Sequence, residues 1–221
     1  MALLSAHRGG PEATRPPNEL DTIEAACALG VDLIEFDVRT AADGKFVIGH
    51  DPIAPHDDAP LTLGAVLDVI KGRARAHVDL KDAGSEVAVA DLCIAALGVD
   101  GFVLTTGFDS GVRRVRTARP DVVIGLSLGR APYRLGPIRL PLLRPSELWP
   151  WSRLRRCDAN LVAPNYQLAS FGVLAGAHRR GLRVLVWTLN TEAQIRAAQR
   201  DERVWAYTTD YPRLALRLAA H

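Results

Sequence analysis

The feature of this sequence that most constrains its fold is a regular alternation between short apolar runs and helix-like segments. The runs have the length and composition of β-strands and fall at 3–6, 33–38, 45–49, 76–81, 102–106, 122–128, 161–165, 184–189 and 205–209. Helices are predicted among them at 20–29, 63–70, 85–97, 110–118, about 168–180 and 191–200. Strands that alternate with helices in this way favour parallel βαβ units.

About eight such units in 221 residues predict an α/β fold, the single-domain (β/α)₈ TIM barrel. An open, doubly wound sheet is the structural alternative. Polar side chains favour the barrel, because they recur at the C-terminal ends of strands, the rim where barrel enzymes carry their chemistry. These side chains are His7, Glu35, Asp37, His50, Asp79, Lys81, Asn165, Trp187 and Asp210. We expect one domain over 1–221, with an irregular segment rich in Arg, Pro and Leu at about 129–156.

Composition narrows the class of protein. A net charge of +2 gives no nucleic-acid footprint. Three widely spaced cysteines predict reduced thiols in a reducing compartment rather than a disulfide framework. The chain reaches His7 after six residues, too few for a signal peptide, and no uncharged run approaches the roughly 20 residues of a membrane helix. We therefore expect a cytoplasmic location.

Two acidic side chains interrupt the apolar run at 33–38. Glu35 and Asp37 are two residues apart, so both point to the same face of a strand. Two like charges on one short strand are costly unless a cation or a basic group neutralises them. A strand face exposed to water is the alternative, but the apolar neighbours leave little room for one. Because the donors are all oxygens, the sequence predicts a site for one divalent cation, Mg²⁺ or Ca²⁺.

Asp79 and Lys81 repeat this spacing in the run at 76–81. Asp79 would supply a third carboxylate ligand, and Lys81 a point charge for a phosphate oxygen. Alternatively, the two side chains simply pair with each other. We interpret His77, on the same face, as a packed and hydrogen-bonded histidine rather than a ligand.

Two histidines lie at strand ends near these acids. His7 precedes Arg8, a candidate anion-binding group, and a glycine pair that allows a sharp turn and close approach of a ligand. His50 ends the run at 45–49 and precedes Asp51. A single strand-end histidine is as readily a locally hydrogen-bonded residue. Two of them flanking an acid cluster match what general acid/base catalysis requires.

Two further features have both a bland and a functional interpretation. Trp187 ends an apolar run and is either a core tryptophan or a wall of the pocket that contacts a cationic head group. The stretch 133–156 interleaves six arginines with apolar residues. It is either a lid or a patch for peripheral membrane contact, or a basic surface loop with a short helix.

Taken in order, several of these motifs resemble the landmarks of the glycerophosphodiester phosphodiesterase family. They are His7-Arg8-Gly9, Glu35-Phe36-Asp37, His50-Asp51, Asp79-Leu80-Lys81, Trp187–Asn190 and Thr209–Pro212. The resemblance runs essentially end to end and is most specific at 5–52. It implies a (β/α)₈ barrel and metal-dependent hydrolysis of glycerophosphodiesters to glycerol 3-phosphate and an alcohol. It implies metal ligation by Glu35, Asp37 and Asp79, an acid/base pair of His7 and His50, and Arg8 and Lys81 on the substrate phosphate.

The sequence departs from the family pattern in three places. Pro16-Pro17-Asn18-Glu19 stands where the family has Pro-Glu-Asn-Thr, Asp79 stands where Glu is more common, and the insertion after His50 is reduced to a short loop. Two other functions therefore stay open. One is phospholipase-D-like hydrolysis or cyclisation of lysophospholipids, which the segment 133–156 motivates. The other is a non-catalytic barrel that binds phosphorylated ligands.

Overall fold

The structure is a computed structural model that describes residues 1–52, 60–129 and 145–220. Its strands are β1 (Leu3–Ala6), β2 (Leu33–Thr40), β3 (Phe46–Ile48), β4 (Arg75–Leu80), β5 (Phe102–Thr106), β6 (Ile124–Leu128), β7 (Leu161–Pro164), β8 (Arg183–Val186) and β9 (Ala206–Thr209). All of them except β3 pair in parallel, in the order β1-β2-β4-β5-β6-β7-β8-β9. The parallel pairing of β9 with β1 closes this sheet into an eight-stranded barrel. The predicted TIM barrel is confirmed, and the open doubly wound sheet is wrong.

The strand β3 stands outside the barrel. It pairs antiparallel with the end of β2, with Val38 opposite Ile48. The turn between the two strands contains Gly44 at φ +84°, a conformation that favours glycine over other residues. The apolar run at 45–49 is therefore the second strand of a hairpin, and it continues β2 beyond the barrel rim.

The helices occupy most of the predicted positions. They are α1 (Leu20–Leu29), α2 (Leu63–Ile70), α3 (Glu86–Leu97), α4 (Asp109–Ala118), α5 (Trp151–Cys157), α6 (Tyr166–Leu168), α7 (Leu174–His178), α8 (Glu192–Arg200) and α9 (Pro212–Ala219). Thr62 caps α2 by accepting a hydrogen bond from the backbone N–H of Ala65 at 3.3 Å, as its position before an apolar run predicts. The helix predicted at about 168–180 is interrupted. A π-helical turn at Ala169–Val173, with Gly172 at φ +99°, separates α6 from α7.

In the described part of the chain, the buried apolar side chains form two cores on opposite faces of the sheet. The larger core lies between the strands and the helices. The smaller one fills the inside of the barrel and consists of Leu33, Val103, Leu161, Ala163, Leu185 and Ala206. Alternate residues of a strand face opposite sides, so Glu35 and Asp37 continue inward from Leu33 along β2. The inner core therefore supports acidic side chains above it.

Some predictions fall on residues outside the described part of the chain. Most of the loop predicted at 57–60 and the stretch 130–144 of the basic segment are among them. Of that segment, the structure describes Gly129, a helical turn at 145–148 and α5. Among the described residues, no helix combines the length and the apolar character needed to cross a bilayer.

Candidate active site

Three buried carboxylates converge at the C-terminal end of β2 and β4. The parallel register sets Asp37 beside Asp79 and Glu35 beside His77. Glu35, Asp37 and Asp79 are all buried, and each offers an oxygen within 4.8 Å of those of the other two. The alternative of a water-exposed strand face is therefore wrong for these residues. The spacing in the sequence placed Glu35 and Asp37 on the same face of β2, and the register brings Asp79 to the height of Asp37.

Two cations lie against this acidic cluster. The Lys81 ammonium is 2.6 Å from Asp37 Oδ1 and 2.6 Å from Asp79 Oδ2, so it bridges the two aspartates. Arg8 Nε is 3.1 Å from Asp37 Oδ2, and the Arg8 backbone N–H donates to Glu35 Oε2 at 2.8 Å. Burial would raise the pKa of Asp37, but Lys81 and Arg8 outweigh it and hold that pKa below its usual value. Pairing of Lys81 with Asp79 is thus part of the arrangement rather than an alternative to it.

The surroundings of Glu35 disfavour its charged form. Burial, reinforced by the neighbouring Asp37, raises its pKa to about 7. The nearest ring nitrogen of His7, Nε2, is 3.9 Å from Glu35 Oε2. A cation at this position would offset the cost of ionising Glu35, because an opposite charge favours the charged form.

His7 is held by a residue that the sequence analysis placed at the rim without giving it a role. Asp210 Oδ1 is 2.6 Å from His7 Nδ1, and Asn190 donates from its side chain to Asp210 Oδ2. Burial pulls the pKa of His7 down, yet Glu35 and Asp210 outweigh it and the pKa is raised. Barrel closure could have revealed this pair, because it sets the end of β9 beside the end of β1.

Asn18 is a second residue whose role sequence reasoning missed. Its Nδ2 atom donates to Asp37 Oδ2 at 2.9 Å, and the backbone N–H of Asp37 donates to Asn18 Oδ1 at 3.3 Å. This reciprocal pair ties the loop before α1 to the acidic cluster. The sequence signal for this role was that Asn18 matches the asparagine of the family's Pro-Glu-Asn-Thr motif.

The glycine pair after Arg8 turns sharply, as predicted, with Gly9 at φ +82° and Gly10 at φ +71°. The close approach that the structure describes is to protein rather than to a ligand. A Cβ on Gly9 would lie 2.9 Å from Thr22 of α1, and one on Gly10 would lie 2.5 Å from Pro212 of α9. The glycines therefore let the loop that carries Arg8 pack between two helices.

The backbone next to His50 is hydrogen bonded to a strand that carries part of the acidic cluster. The N–H of Gly49 donates to the Asp37 carbonyl at 3.0 Å. The His50 carbonyl accepts from Arg39 Nε at 3.0 Å and from a terminal nitrogen of Arg39 at 2.8 Å. Its ring is 47% exposed and pairs with Asp51 at 3.0 Å. Within the described residues, no hydrogen bond or ion pair joins the His50 ring to a carboxylate of the acidic triad, so the acid/base role of His50 stays a prediction.

The two remaining candidates lie where the sequence placed them. Trp187 follows β8, packs on the inner core and donates from Nε1 to the Ala163 carbonyl at 2.7 Å. It is half-buried at the barrel mouth, so its contact with substrate stays a prediction. His77 is buried and hydrogen bonded to Ser5 and Thr105, which confirms its interpretation as a packed histidine.

A model of a known protein family matches the part of the chain that carries these residues. Residues 7–97 match the model of the Glycerophosphoryl diester phosphodiesterase family, a stretch that contains His7, Arg8, the acidic triad and Lys81. The matched stretch is less than half of the 221 residues. No curated protein sequence matches the chain.

Several solved structures of low sequence identity share the fold. A glycerophosphodiester phosphodiesterase from Parabacteroides distasonis matches with a TM-score of 0.76 and 17% identity, over 99% of this chain and 97% of that one. A phosphodiesterase from Oleispira antarctica, in complex with the product sn-glycerol-3-phosphate, matches with a TM-score of 0.75 and 18% identity, over 100% of this chain and 98% of that one. A glycerophosphodiester phosphodiesterase from Thermotoga maritima matches with a TM-score of 0.72 and 17% identity, over 100% and 99%.

The residues at the cluster fit a hard divalent cation. Three carboxylates supply only oxygen donors, which suit Mg²⁺ or Ca²⁺ better than a softer metal. All three are buried, and buried acids of like charge call for a compensating cation. Glu35, Asp37 and Asp79 are the residues that would hold it.

Proposed function

We propose that this chain is a metal-dependent phosphodiesterase that hydrolyses glycerophosphodiesters to glycerol 3-phosphate and an alcohol. The observation that carries the proposal is the buried triad of Glu35, Asp37 and Asp79, set beside Arg8, Lys81 and His7 at one end of the barrel. Binding of sn-glycerol-3-phosphate by the Oleispira antarctica relative supports the substrate class.

Charge neutralisation is the first task of such a site. A phosphodiester carries one negative charge, and more charge develops on its oxygens in the transition state. Arg8 and Lys81 would bind those oxygens, and preorganised cations of this kind supply one of the largest contributions to catalysis. A divalent cation held by the triad would act as a Lewis acid on a phosphoryl oxygen.

Proton transfer is the second task. Asp210 holds His7 through Nδ1, so Nε2 is the atom left to exchange a proton, and it is on the side of Glu35. His50 would serve as the partner of opposite role. One imidazole would take a proton from the nucleophile, either water or the glycerol 2-hydroxyl, and the other would protonate the leaving alkoxide.

The direct test is release of glycerol 3-phosphate from glycerophosphocholine and glycerophosphoethanolamine, with Mg²⁺, with Ca²⁺ and after chelation. We expect turnover that depends on one of the two cations. Asp37→Asn should abolish it, and Asp43→Asn is the matched control, because Asp43 is an exposed carboxylate of the β2–β3 turn. If neither cation supports cleavage of any diester in a panel, hydrolysis is the wrong function. Phosphate-ligand binding that survives in His7→Ala and His50→Ala would then indicate a non-catalytic barrel.

A second candidate function, cleavage of lysophospholipids with peripheral membrane contact, is favoured by aromatic side chains at the rim. Trp149 precedes α5 and is 70% exposed, and Phe171 lies in the π-helical turn after β7 and is 75% exposed. Both belong to connections that leave the C-terminal ends of barrel strands, the side on which the acidic cluster lies. Exposed aromatic groups on the same side of a barrel as a reactive centre suit an amphiphilic substrate.

Substrate preference separates the two candidates. If the chain acts on lysophospholipids, it should cleave lysophosphatidylcholine faster than glycerophosphocholine and should bind anionic vesicles. Trp149→Ser with Phe171→Ser would then weaken vesicle binding while leaving cleavage of the deacylated diester unchanged. Equal vesicle binding by the variant and the parent protein would contradict a role of Trp149 and Phe171 in membrane contact.

A further inference from the structure

A buried chain of hydrogen bonds runs beneath the acidic cluster and ends on one of its members. Ser5 Oγ is 3.0 Å from His77 Nδ1, and His77 Nε2 is 3.1 Å from Thr105 Oγ1. Thr105 Oγ1 in turn donates to Asp79 Oδ1 at 2.8 Å. The four side chains come from β1, β4 and β5, and all are buried. The register aligns Asp79 with Thr105 directly across β4 and β5.

The hydrogen bonds from Ser5 to Asp79 have a defined donor-to-acceptor direction. The single hydroxyl proton of Thr105 goes to Asp79 Oδ1, so towards the imidazole that oxygen can only accept. His77 therefore carries its proton on Nε2, and in the neutral ring Nδ1 accepts from the Ser5 hydroxyl. Burial lowers the pKa of His77 to about 4, which agrees with a neutral ring.

This row of hydrogen bonds gives the two carboxylate oxygens of Asp79 different environments. Oδ1 is engaged by Thr105, whereas Oδ2 is 2.6 Å from the Lys81 ammonium that also contacts Asp37. Oδ2 is thus the oxygen on the side of the other carboxylates. Rotation of the carboxyl group, which would bring both oxygens to one cation, would break the bond from Thr105 and leave the buried Thr105 hydroxyl without its acceptor. A buried donor without an acceptor is costly.

We propose that Thr105 and His77 are positioning residues that restrict Asp79 to a single-oxygen contact with the cation, and that this restriction favours Mg²⁺ over Ca²⁺. The inference rests on the proposed metal-dependent function and specifies the cation for that site. Mg²⁺ takes near-octahedral coordination at short distances, whereas Ca²⁺ accepts more oxygens and commonly binds carboxylates through both. Fixing the outer partners of a ligand typically changes metal affinity by about 10- to 100-fold.

The experiment measures cation affinity rather than turnover. Mg²⁺ and Ca²⁺ are titrated separately into the full-length protein by calorimetry, and the ratio of the two dissociation constants is the readout. Thr105→Val removes the hydroxyl at constant shape, and Thr105→Ser restores it. Thr106→Val is the matched control, because Thr106 is a buried neighbour whose hydroxyl donates to the Leu80 carbonyl at 3.2 Å instead. His77→Leu breaks the chain one bond further away and gives a second reading should Thr105→Val fail to fold.

We expect the preference for Mg²⁺ to fall by about tenfold or more in Thr105→Val and in the same direction in His77→Leu. Thr105→Ser and Thr106→Val should keep the ratio of the parent protein. A parent protein that binds Ca²⁺ better than Mg²⁺ overturns this inference and leaves the proposed metal centre intact. The same conclusion follows if folded Thr105→Val and His77→Leu both keep the ratio of the parent protein. A parent protein that binds neither cation overturns both.

Discussion

Asp210 Oδ1 contacts His7 Nδ1 at 2.6 Å although 203 residues separate the two along the chain. The contact follows from closure of the barrel, because β1 and β9 pair with Ala6 opposite Thr209. The residue after each of these strands, His7 on one and Asp210 on the other, then emerges at the same point of the rim. An imidazole held through Nδ1 keeps a fixed orientation and presents Nε2 to the acidic cluster.

We predict that Asp210→Asn lowers kcat by about 100-fold or more while the protein stays folded. Asp210 accepts from His7 on one oxygen and from the Asn190 side chain on the other, and an amide cannot accept on both sides. Either the amide NH₂ faces Asn190, or it faces His7 and forces the other tautomer of the ring. An incorrect tautomer at an acid/base histidine costs up to about 10⁴ in kcat.

The measurement is steady-state turnover of glycerophosphocholine, with circular dichroism as the check on folding. Asp201→Asn is the control, since Asp201 pairs with Arg203 in the loop before β9, at the opposite end of the barrel. A variant at position 210 with unchanged kcat would show that His7 needs no orientation by Asp210.

Arg39 is predicted to support His50. Its guanidinium donates twice to the His50 carbonyl and pairs with Asp82 at 2.7 Å. Arg39→Met should release the turn that carries His50 and lower kcat/KM by about 10- to 100-fold, since small displacements of a catalytic group have effects of this size. Arg196→Met, which removes an exposed ion pair of α8 with Glu192, should have no effect. Equal loss in His50→Ala and in Arg39→Met combined with His50→Ala would confirm that Arg39 acts through His50, and additive losses would contradict it.

Glu86 provides a prediction about stability and pH. Its buried carboxylate accepts from the Gly84 N–H at 3.0 Å and from two nitrogens of Arg114 on α4 at 3.1 and 2.7 Å. Burial would raise its pKa, but these donors outweigh burial and the pKa lies below the usual 4.5. A lowered pKa means that the stabilisation is fully present above about pH 4.5 and is lost as pH falls through the folded-state value.

Glu86→Gln should therefore lower the free energy of unfolding by about 1–3 kcal/mol at pH 7. The difference from the parent protein should shrink as pH falls from 5 towards 3, which urea unfolding at several pH values can measure. Asp91→Asn is the matched control, because Asp91 of α3 forms an exposed pair with Arg119, the residue that follows α4. Exposed pairs contribute about 0–1 kcal/mol. A constant difference between Glu86→Gln and the parent across this range would contradict the assignment.

Local rules of sequence account for much of the fold. The capping threonine before α2, the glycine after α1 in the left-handed region and the apolar strands were all predictable, because they depend on neighbouring residues. The hairpin strand β3 was predicted as a strand, but its antiparallel pairing depends on the turn at Gly44. The break between α6 and α7 was not predicted, because the helical pattern continues on both sides of Gly172.

The candidate site was predictable only where its members share a strand. The spacing of Glu35 with Asp37, and of Asp79 with Lys81, sets each pair on one face. The bridge that Lys81 makes between two strands depends on the register of β2 with β4. The contacts of Asp210 with His7, and of Thr105 with Asp79, depend on closure and register over the whole barrel, which no local pattern specifies.

The central claim is that the carboxylates of Glu35, Asp37 and Asp79 hold one divalent cation at the barrel mouth. Anomalous diffraction from a crystal soaked in Mn²⁺ and glycerol 3-phosphate tests it most directly. We predict one strong peak within roughly 2.0–2.6 Å of an oxygen from each of the three residues, with the phosphate beside it and Arg8. A peak elsewhere, or one that Asp79 does not contact, would contradict the account.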